Sequence, residues 1–185
     1  MRQGKMDETP MKTAYLLPTG NEIQNGIVLD LDTPELMIQL IRRFPQVQVT
    51  RLCPLLDDEE IILRQLEKLT PMQPDLIVLI GGSGGGHRFS KTLSRDFTHS
   101  ALERFLDEHA SREIYGKNGH LWCKLLCGKK GVTLVINVPG PFVEAKAAFS
   151  AFLESWSKGD SLEMINSAMA QAVFAQYPAG AAQTV

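Results

Sequence analysis

The chain has 185 residues, with 19 lysines and arginines against 21 aspartates and glutamates, and a formal net charge of −2. Its 44% of hydrophobic residues is too high for a disordered chain, and the near-neutral charge argues against a dedicated nucleic-acid-binding protein. No apolar run approaches the ~18 residues of a membrane helix, and the polar N-terminus does not resemble a signal peptide. We therefore expect a cytoplasmic protein.

The length suits a single domain. We expect a disordered or extended tail over residues 1–11, one domain over residues 12–176 that includes a C-terminal helix, and a frayed tail over residues 177–185.

The cysteines, Cys53, Cys123 and Cys127, are odd in number and show no disulfide pattern, which predicts reduced thiols. The short Cys123–Cys127 spacing supplies two ligands, whereas a structural zinc site needs four. We interpret these two residues as small buried hydrophobic side chains of a strand.

Short apolar runs alternate with segments of helical periodicity along the chain. The predicted strands span residues 12–17, 47–52, 75–80, 121–127 and 132–138. The predicted helices span residues 33–44, 57–69, 97–110, 143–156 and 161–174. The segment 75–80 is apolar throughout, which is typical of a parallel strand covered on both faces, and Gly-Lys-Lys-Gly at 128–131 suggests a hairpin. The alternation predicts a three-layer α/β/α sandwich with a mostly parallel sheet.

Three loops leave the carboxyl ends of predicted strands, where such sheets bind their ligands. They span residues 19–21, 81–86 and 139–141. The second contains five glycines and Ser83, so its backbone N–H groups can converge on an anion. It lacks the Gly-Lys-Ser/Thr ending of a Walker loop and the Rossmann pattern. From the residues alone, a phosphate cradle and a flexible glycine-rich turn are about equally favoured.

An acidic run follows the second predicted strand. Asp57 and Asp58, with Glu59 and Glu60 behind them, suit a solvated helix N-terminus and also suit a Mg²⁺ site completed by substrate phosphates. Asp96 precedes a later helix. It is either the N-cap of that helix or a second carboxylate at the same carboxyl edge of the sheet as Asp57.

The segment after the glycines is basic. His87 is the histidine best placed for a site role, and Arg88, Lys91 and Arg95 would suit an anionic ligand. An ordinary solvated loop explains the same residues, and no Ser/His/Asp set is indicated.

Four segments in chain order resemble motifs of the molybdopterin-binding domain family of molybdenum-cofactor biosynthesis proteins. They are Pro18-Thr19-Gly20-Asn21-Glu22-Ile23, Leu56-Asp57-Asp58-Glu59-Glu60-Ile61-Ile62, the strand and glycines at 75–84, and Val138-Pro139-Gly140-Pro141-Phe142. Each motif is short, but the ordered set spans about residues 12–153, which is most of the chain.

The resemblance implies a domain that binds molybdopterin and usually forms a homo-oligomer, with a trimer favoured. Some members adenylylate molybdopterin with ATP and Mg²⁺, and others insert molybdate into the adenylylated form. The domain also occurs in CinA-type proteins, which act on nucleotides. The resemblance thus favours an adenylyltransferase with a small-molecule ligand and no nucleic-acid or membrane partner. The alternatives are a non-catalytic pterin or nucleotide sensor or carrier, and a CinA-like nucleotide hydrolase.

The resemblance also implies roles for particular residues. It makes Asp57 a catalytic and metal-binding carboxylate. The second such position falls on Asp96 if residues 95–98 match the adenylyltransferase motif Arg-Asp-Val-Thr, or on Arg88 if residues 88–92 match the Asp-Tyr-Thr-Lys-Thr motif of molybdate-inserting members. Asp30 or Asp32 would help to bind the polar edges of the ligand. The implied ligand-binding residues are Thr19, Gly20, Asn21, Glu22, Gly81, Gly82, Ser83, Gly84, Pro139 and Gly140.

Overall fold

The computed structural model describes residues 10–84 and 96–184. The strands are β1 (Thr13–Pro18), β2 (Gln48–Arg51), β3 (Leu76–Ile80), β4 (Glu108–Gly116), β5 (Leu121–Lys130), β6 (Thr133–Val138) and β7 (Ala182–Thr184). The helices are α1 (Asn21–Gln24), α2 (Asp32–Arg43), α3 (Glu59–Leu69), α4 (Thr98–Phe105), α5 (Phe142–Ser157) and α6 (Leu162–Phe174), with a short 3₁₀ helix at Thr70–Met72.

The strands form one sheet in the order β2-β1-β3-β6-β5-β4-β7. The first four strands of that order are parallel, and the remaining three pair in antiparallel fashion. Helices α2, α5 and α6 cover one face, and α3 and α4 cover the other. This arrangement confirms the predicted three-layer fold with a mostly parallel sheet.

The central strand β3 shows why its sequence is apolar throughout. Leu76 and Val78 pack into the core under α2 and α5, whereas Ile77 and Leu79 pack into the core under α3 and α4. Because both faces of a central parallel strand are covered, neither face can carry polar side chains.

The antiparallel half of the sheet corrects two predictions. The helix predicted over residues 97–110 ends at Phe105, and Glu108–Gly116 form β4 instead. Polar and charged side chains dominate β4, so its strand character comes from pairing with β5 and from burial of Ala110 and Ile114. Residues 182–184, which we predicted in a frayed tail, form β7 against β4. The predicted hairpin between β5 and β6 is present, but residues 128–130 of the predicted turn belong to β5, and the chain turns at Gly131, which has a φ of +57°.

Cys123 and Cys127 are buried in β5, as predicted, and Cys53 is exposed. Burial raises the pKa of the Cys123 and Cys127 thiols to about 12, so both stay protonated and unreactive at neutral pH. In the described part of the chain, no helix has both the length and the apolarity needed to cross a membrane.

Candidate functional site

Three loops at the carboxyl edge of the parallel strands line one cavity of about 440 Å³. Thr19 follows β1, Gly81–Gly84 follow β3, and Pro139 and Gly140 follow β6. The structure therefore brings together the three loops that the sequence singled out. Gly20 and Asn21 lie beside the cavity without lining it, whereas Glu22 lines it.

Thr19 joins two of these loops to α4. Its Oγ1 donates a hydrogen bond to the Ile80 carbonyl at 3.1 Å and lies 3.2 Å from Oγ1 of Thr98. Both threonines are buried. Thr19 thus ties the loop after β1 to the end of β3, where the glycine loop begins, and to α4.

The described part of the glycine loop is closely packed. Gly82 has a φ of +61°, and a Cβ there would lie 2.2 Å from Oγ1 of Thr98, so only glycine fits. The Lys124 N–H donates to the Ser83 carbonyl at 2.7 Å, and Nε2 of His99 lies 3.1 Å from the Gly84 carbonyl oxygen. These contacts favour a built loop over a flexible turn for residues 81–84.

Of the acidic run, only Asp57 enters the cavity. Asp58 instead caps α3, because its Oδ1 accepts a hydrogen bond from the Ile61 N–H at 2.9 Å. Glu59 and Glu60 each form an ion pair of 2.8 Å with Arg104. The interpretation as a helix N-terminus therefore holds for Asp58, Glu59 and Glu60, whereas a Mg²⁺ site at Asp57 stays a prediction.

Asp57 carries a perturbed carboxyl group. Its Oδ1 is buried and accepts no hydrogen bond from any described residue. Burial first, and then the negative charges of Asp96 and Glu22, raise the pKa of Asp57 to about 6, while a hydrogen bond with the Asn21 backbone lowers it. Oδ1 of Asn21 also accepts a hydrogen bond of 3.0 Å from the Asp57 N–H. Asn21 therefore positions Asp57 without lining the cavity itself.

Asp96 reaches the same cavity from the far side of the glycine loop. Its Oδ2 lies 2.5 Å from the place that a Cβ on Gly84 would occupy. After burial, the negative charge of Asp96 is the next cause of the raised pKa of Asp57. The alternative second position, Arg88, lies outside the described residues, as do Gly85, Gly86, His87, Lys91 and Arg95.

The described lining of the cavity is acidic. It includes six carboxylate side chains and, among the residues that the structure describes, no lysine or arginine. The six are Glu22, Asp30, Asp32, Asp57, Asp96 and Glu144. Asp30 is paired with Arg51 at 2.9 Å. Burial and then the charge of Asp30 raise the pKa of Asp32 to about 6, and its Oδ1 also accepts no hydrogen bond from a described residue.

Asp57 and Asp96 line the same cavity, and the buried, unpartnered oxygen of Asp57 is a ligand of the kind that a hard divalent cation takes. No three His, Cys, Asp or Glu side chains of residues 10–84 and 96–184 form a metal cluster. Mg²⁺ does not need such a cluster, because it commonly takes one or two carboxylates and completes its coordination with waters and substrate phosphates.

Sequence analysis missed the aromatic part of the lining. Trp122 at the start of β5 and Tyr177 after α6 both line the cavity, with ring centroids 5.0 Å apart. Hydroxyl Oη of Tyr177 donates to Oε2 of Glu144 at 3.0 Å. Tyr177 is an isolated aromatic residue at the start of a C-terminal segment of mostly small residues. That contrast was the one feature of the sequence that could have indicated a role for it.

The fold and the loops define a class of protein. Residues 15–158 match the family described as "Probable molybdopterin binding domain". Because this match covers most of the chain, the protein belongs to the molybdopterin-binding domain family.

Several solved structures share the fold. MoaB from Thermus thermophilus, described as a molybdopterin biosynthesis enzyme, is 19% identical with a TM-score of 0.61 over 85% of this chain and 98% of that one. MoaB from Pyrococcus furiosus, described as a tungsten cofactor synthesizing protein, is 14% identical, with a TM-score of 0.58. The match covers 80% of this chain and 92% of that one. A CinA protein of unknown function from Thermoplasma acidophilum is 17% identical, with a TM-score of 0.59. The match covers 79% of this chain and 98% of that one. No curated protein matches the chain.

Proposed function

We propose that this protein binds molybdopterin and transfers an adenylyl group from ATP to its terminal phosphate, with Mg²⁺ held by Asp57 and Asp96. The observation that carries the proposal is the buried, unpartnered Oδ1 of Asp57, coupled to Asp96 in a cavity lined by the glycine loop. Two carboxylates in that arrangement repel each other unless a cation or a proton lies with them. Family membership supports molybdopterin as the ligand.

The proposed reaction forms one bond and breaks one bond. An oxygen of the molybdopterin phosphate attacks the α-phosphorus of ATP, and the bond to the bridging oxygen of the β-phosphate breaks, which releases pyrophosphate. Such a transfer depends mainly on positioning and on neutralising phosphate charge. Mg²⁺ held by Asp57 and Asp96 would supply that positive charge.

The chain's own residues bind and orient the two substrates. The backbone N–H groups of Gly81–Gly84 and the Ser83 hydroxyl are suited to a phosphate, and Pro139 and Gly140 close the neighbouring wall. Glu22 and Asp32 offer acceptor oxygens to the N–H groups of a pterin. Asn21 holds the backbone of Asp57 in place.

We also propose that the protein acts in the cytoplasm as a homo-oligomer, with a trimer favoured. Ile27, Leu29 and Leu31 are 78%, 78% and 60% exposed, and large apolar side chains that close in sequence and that exposed suit an interface. Sedimentation velocity would test the assembly, and a purely monomeric protein at micromolar concentration would contradict it.

The decisive assay for the proposed reaction is formation of adenylylated molybdopterin from α-labelled ATP and Mg²⁺. We expect product from the wild-type chain and a rate loss of about 100-fold or more in Asp57→Asn and in Asp96→Asn, since each removes a charge that acts on the transferring group. Asp58→Asn is the matched control, because asparagine caps a helix as well as aspartate does.

The other outcomes are equally informative. Molybdopterin binding without product from the wild-type chain would make the protein a carrier or sensor and would contradict the proposed transfer. Cleavage of a nucleotide pyrophosphate bond without molybdopterin would instead make it a CinA-like hydrolase.

A further inference from the structure

The chain continues beyond the family match, and that extension reaches the cavity. The match ends at residue 158, but α6 follows, and Tyr177 after α6 lines the cavity. Beyond Tyr177, β7 pairs with β4, with Ala182 opposite Gly116. The C-terminal segment is therefore folded onto the domain and supplies one wall of the cavity from outside the matched region.

Two aromatic rings, those of Trp122 and Tyr177, form what we term the aromatic corner of this cavity. Their centroids lie 5.0 Å apart and their planes meet at 71°. Trp122 packs onto Gly116, where a Cβ would come within 2.5 Å of the indole ring. The Tyr177 hydroxyl is held by Glu144 of α5 at 3.0 Å. Contacts from different elements thus fix both rings before any ligand arrives.

We propose that the aromatic corner binds the flat heterocyclic ring of the ligand and that Tyr177 is a ligand-contact residue. Two rings close to perpendicular present a face and an edge, and both are favourable to another aromatic ring. Glu144 places a carboxylate at the same corner, and an acidic group suits a ring that carries an amino group. A pterin and an adenine both meet that description.

This inference rests on the proposed function only in taking the pterin ring of molybdopterin and the adenine ring of ATP as the candidate ligands. Its test therefore uses probes without phosphate, 6-hydroxymethylpterin and adenosine, in buffer that contains EDTA, with binding measured by calorimetry. Neither the carboxylate pair nor turnover enters this measurement, so failure here is distinguishable from failure of adenylyl transfer.

Three variants isolate the ring of Tyr177. Tyr177→Leu removes the aromatic ring and should weaken binding of at least one probe by about tenfold, the scale of aromatic stacking against a base. Tyr177→Phe keeps the ring and should bind within about threefold of wild type. Tyr15→Leu is the matched control, because Tyr15 is half-buried, contacts Met72 and does not line the cavity.

Equal binding by Tyr177→Leu and wild type would overturn the proposal, as would failure of the wild-type chain to bind either probe. Selective loss of the pterin or of adenosine would support it and show which ring the corner takes. Should Tyr177→Leu fail to fold, Trp156→Phe leaves Trp122 as the single tryptophan of the chain. Saturable quenching of its fluorescence by a probe is then expected, and unchanged fluorescence would overturn the proposal.

Discussion

The backbone N–H of Asp57 donates a hydrogen bond of 3.0 Å to the side-chain Oδ1 of Asn21. This contact joins the loop after β1 to the segment that precedes α3. Glu22, the neighbour of Asn21, lines the cavity, and its charge helps to raise the pKa of Asp57. The first loop therefore positions the carboxylate to which we assign the metal and adds, after burial and Asp96, to the rise in its pKa.

Asn21→Asp should shift the pH dependence of adenylyl transfer upward. The substitution keeps an acceptor oxygen for the Asp57 N–H but adds a negative charge, which raises the pKa of Asp57 further. Since Asp57 must be ionised to bind the cation, the acidic limb of the rate profile should move to higher pH. Asn21→Ala, which removes the acceptor without adding charge, should lower the rate with no upward shift. If the acidic limb of the Asn21→Asp rate profile stays where it is in wild type, the charge at residue 21 does not act on Asp57, and the prediction is wrong.

Asp57→Asn should stabilise the metal-free protein at pH 8. The pKa of Asp57 is about 6 in the folded chain against 3.8 in the unfolded one. The favourable contribution of the protonated carboxyl is therefore complete below pH 3.8 and is lost as pH rises through about 6. After allowance for solvent screening, we expect Asp57→Asn to raise the free energy of unfolding by on the order of 1–2 kcal/mol at pH 8 and to change it little at pH 4. Urea unfolding at the two pH values measures this difference.

The adjacent residue should behave in the opposite way. Asp58→Ala removes the N-cap of α3 and should cost about 1 kcal/mol of unfolding free energy at pH 8. The same urea titration measures both variants. Destabilisation by Asp57→Asn similar to that by Asp58→Ala would show that Asp57 is an ordinary helix-end carboxylate.

Gly84→Ala should remove activity with little change in stability. Its Cβ would lie 2.5 Å from Oδ2 of Asp96, so that carboxylate must move. We expect adenylyl transfer to fall as in Asp96→Asn, while the unfolding free energy changes by less than about 1 kcal/mol, because a flexible side-chain end can give way. Gly159→Ala is the control: it has a φ of +73° and open space around it. Gly159→Ala should lower the free energy of unfolding by about 1 kcal/mol through backbone strain and leave the rate of adenylyl transfer unchanged.

The positions of the loops could be predicted from sequence because parallel strands with apolar faces place their carboxyl ends at one edge. The different roles of Asp57 and Asp58 could not, since the two residues are adjacent and identical in chemistry. Contacts in the folded structure separate them: Asp58 accepts a hydrogen bond from the Ile61 N–H, whereas Asp57 lines the cavity. Strand β4 depends on pairing with β5, because its own side chains are mostly polar and show no strand pattern. The position of Tyr177 depends on its contact with Glu144 of α5, which is distant in sequence, so local patterns did not indicate it.

A carboxyl-carbon NMR titration tests most directly whether Asp57 and Asp96 form a cation site. With aspartate labelled at its side-chain carbon and the signal assigned through Asp57→Asn, Asp57 should titrate near pH 6 without divalent ions. Millimolar Mg²⁺ should lower that midpoint, while Asp32, whose pKa is also raised to about 6, should move much less because burial and then Asp30, not Asp96, raise it. An Asp57 midpoint near its ordinary value, or one that Mg²⁺ leaves unchanged, would contradict the site.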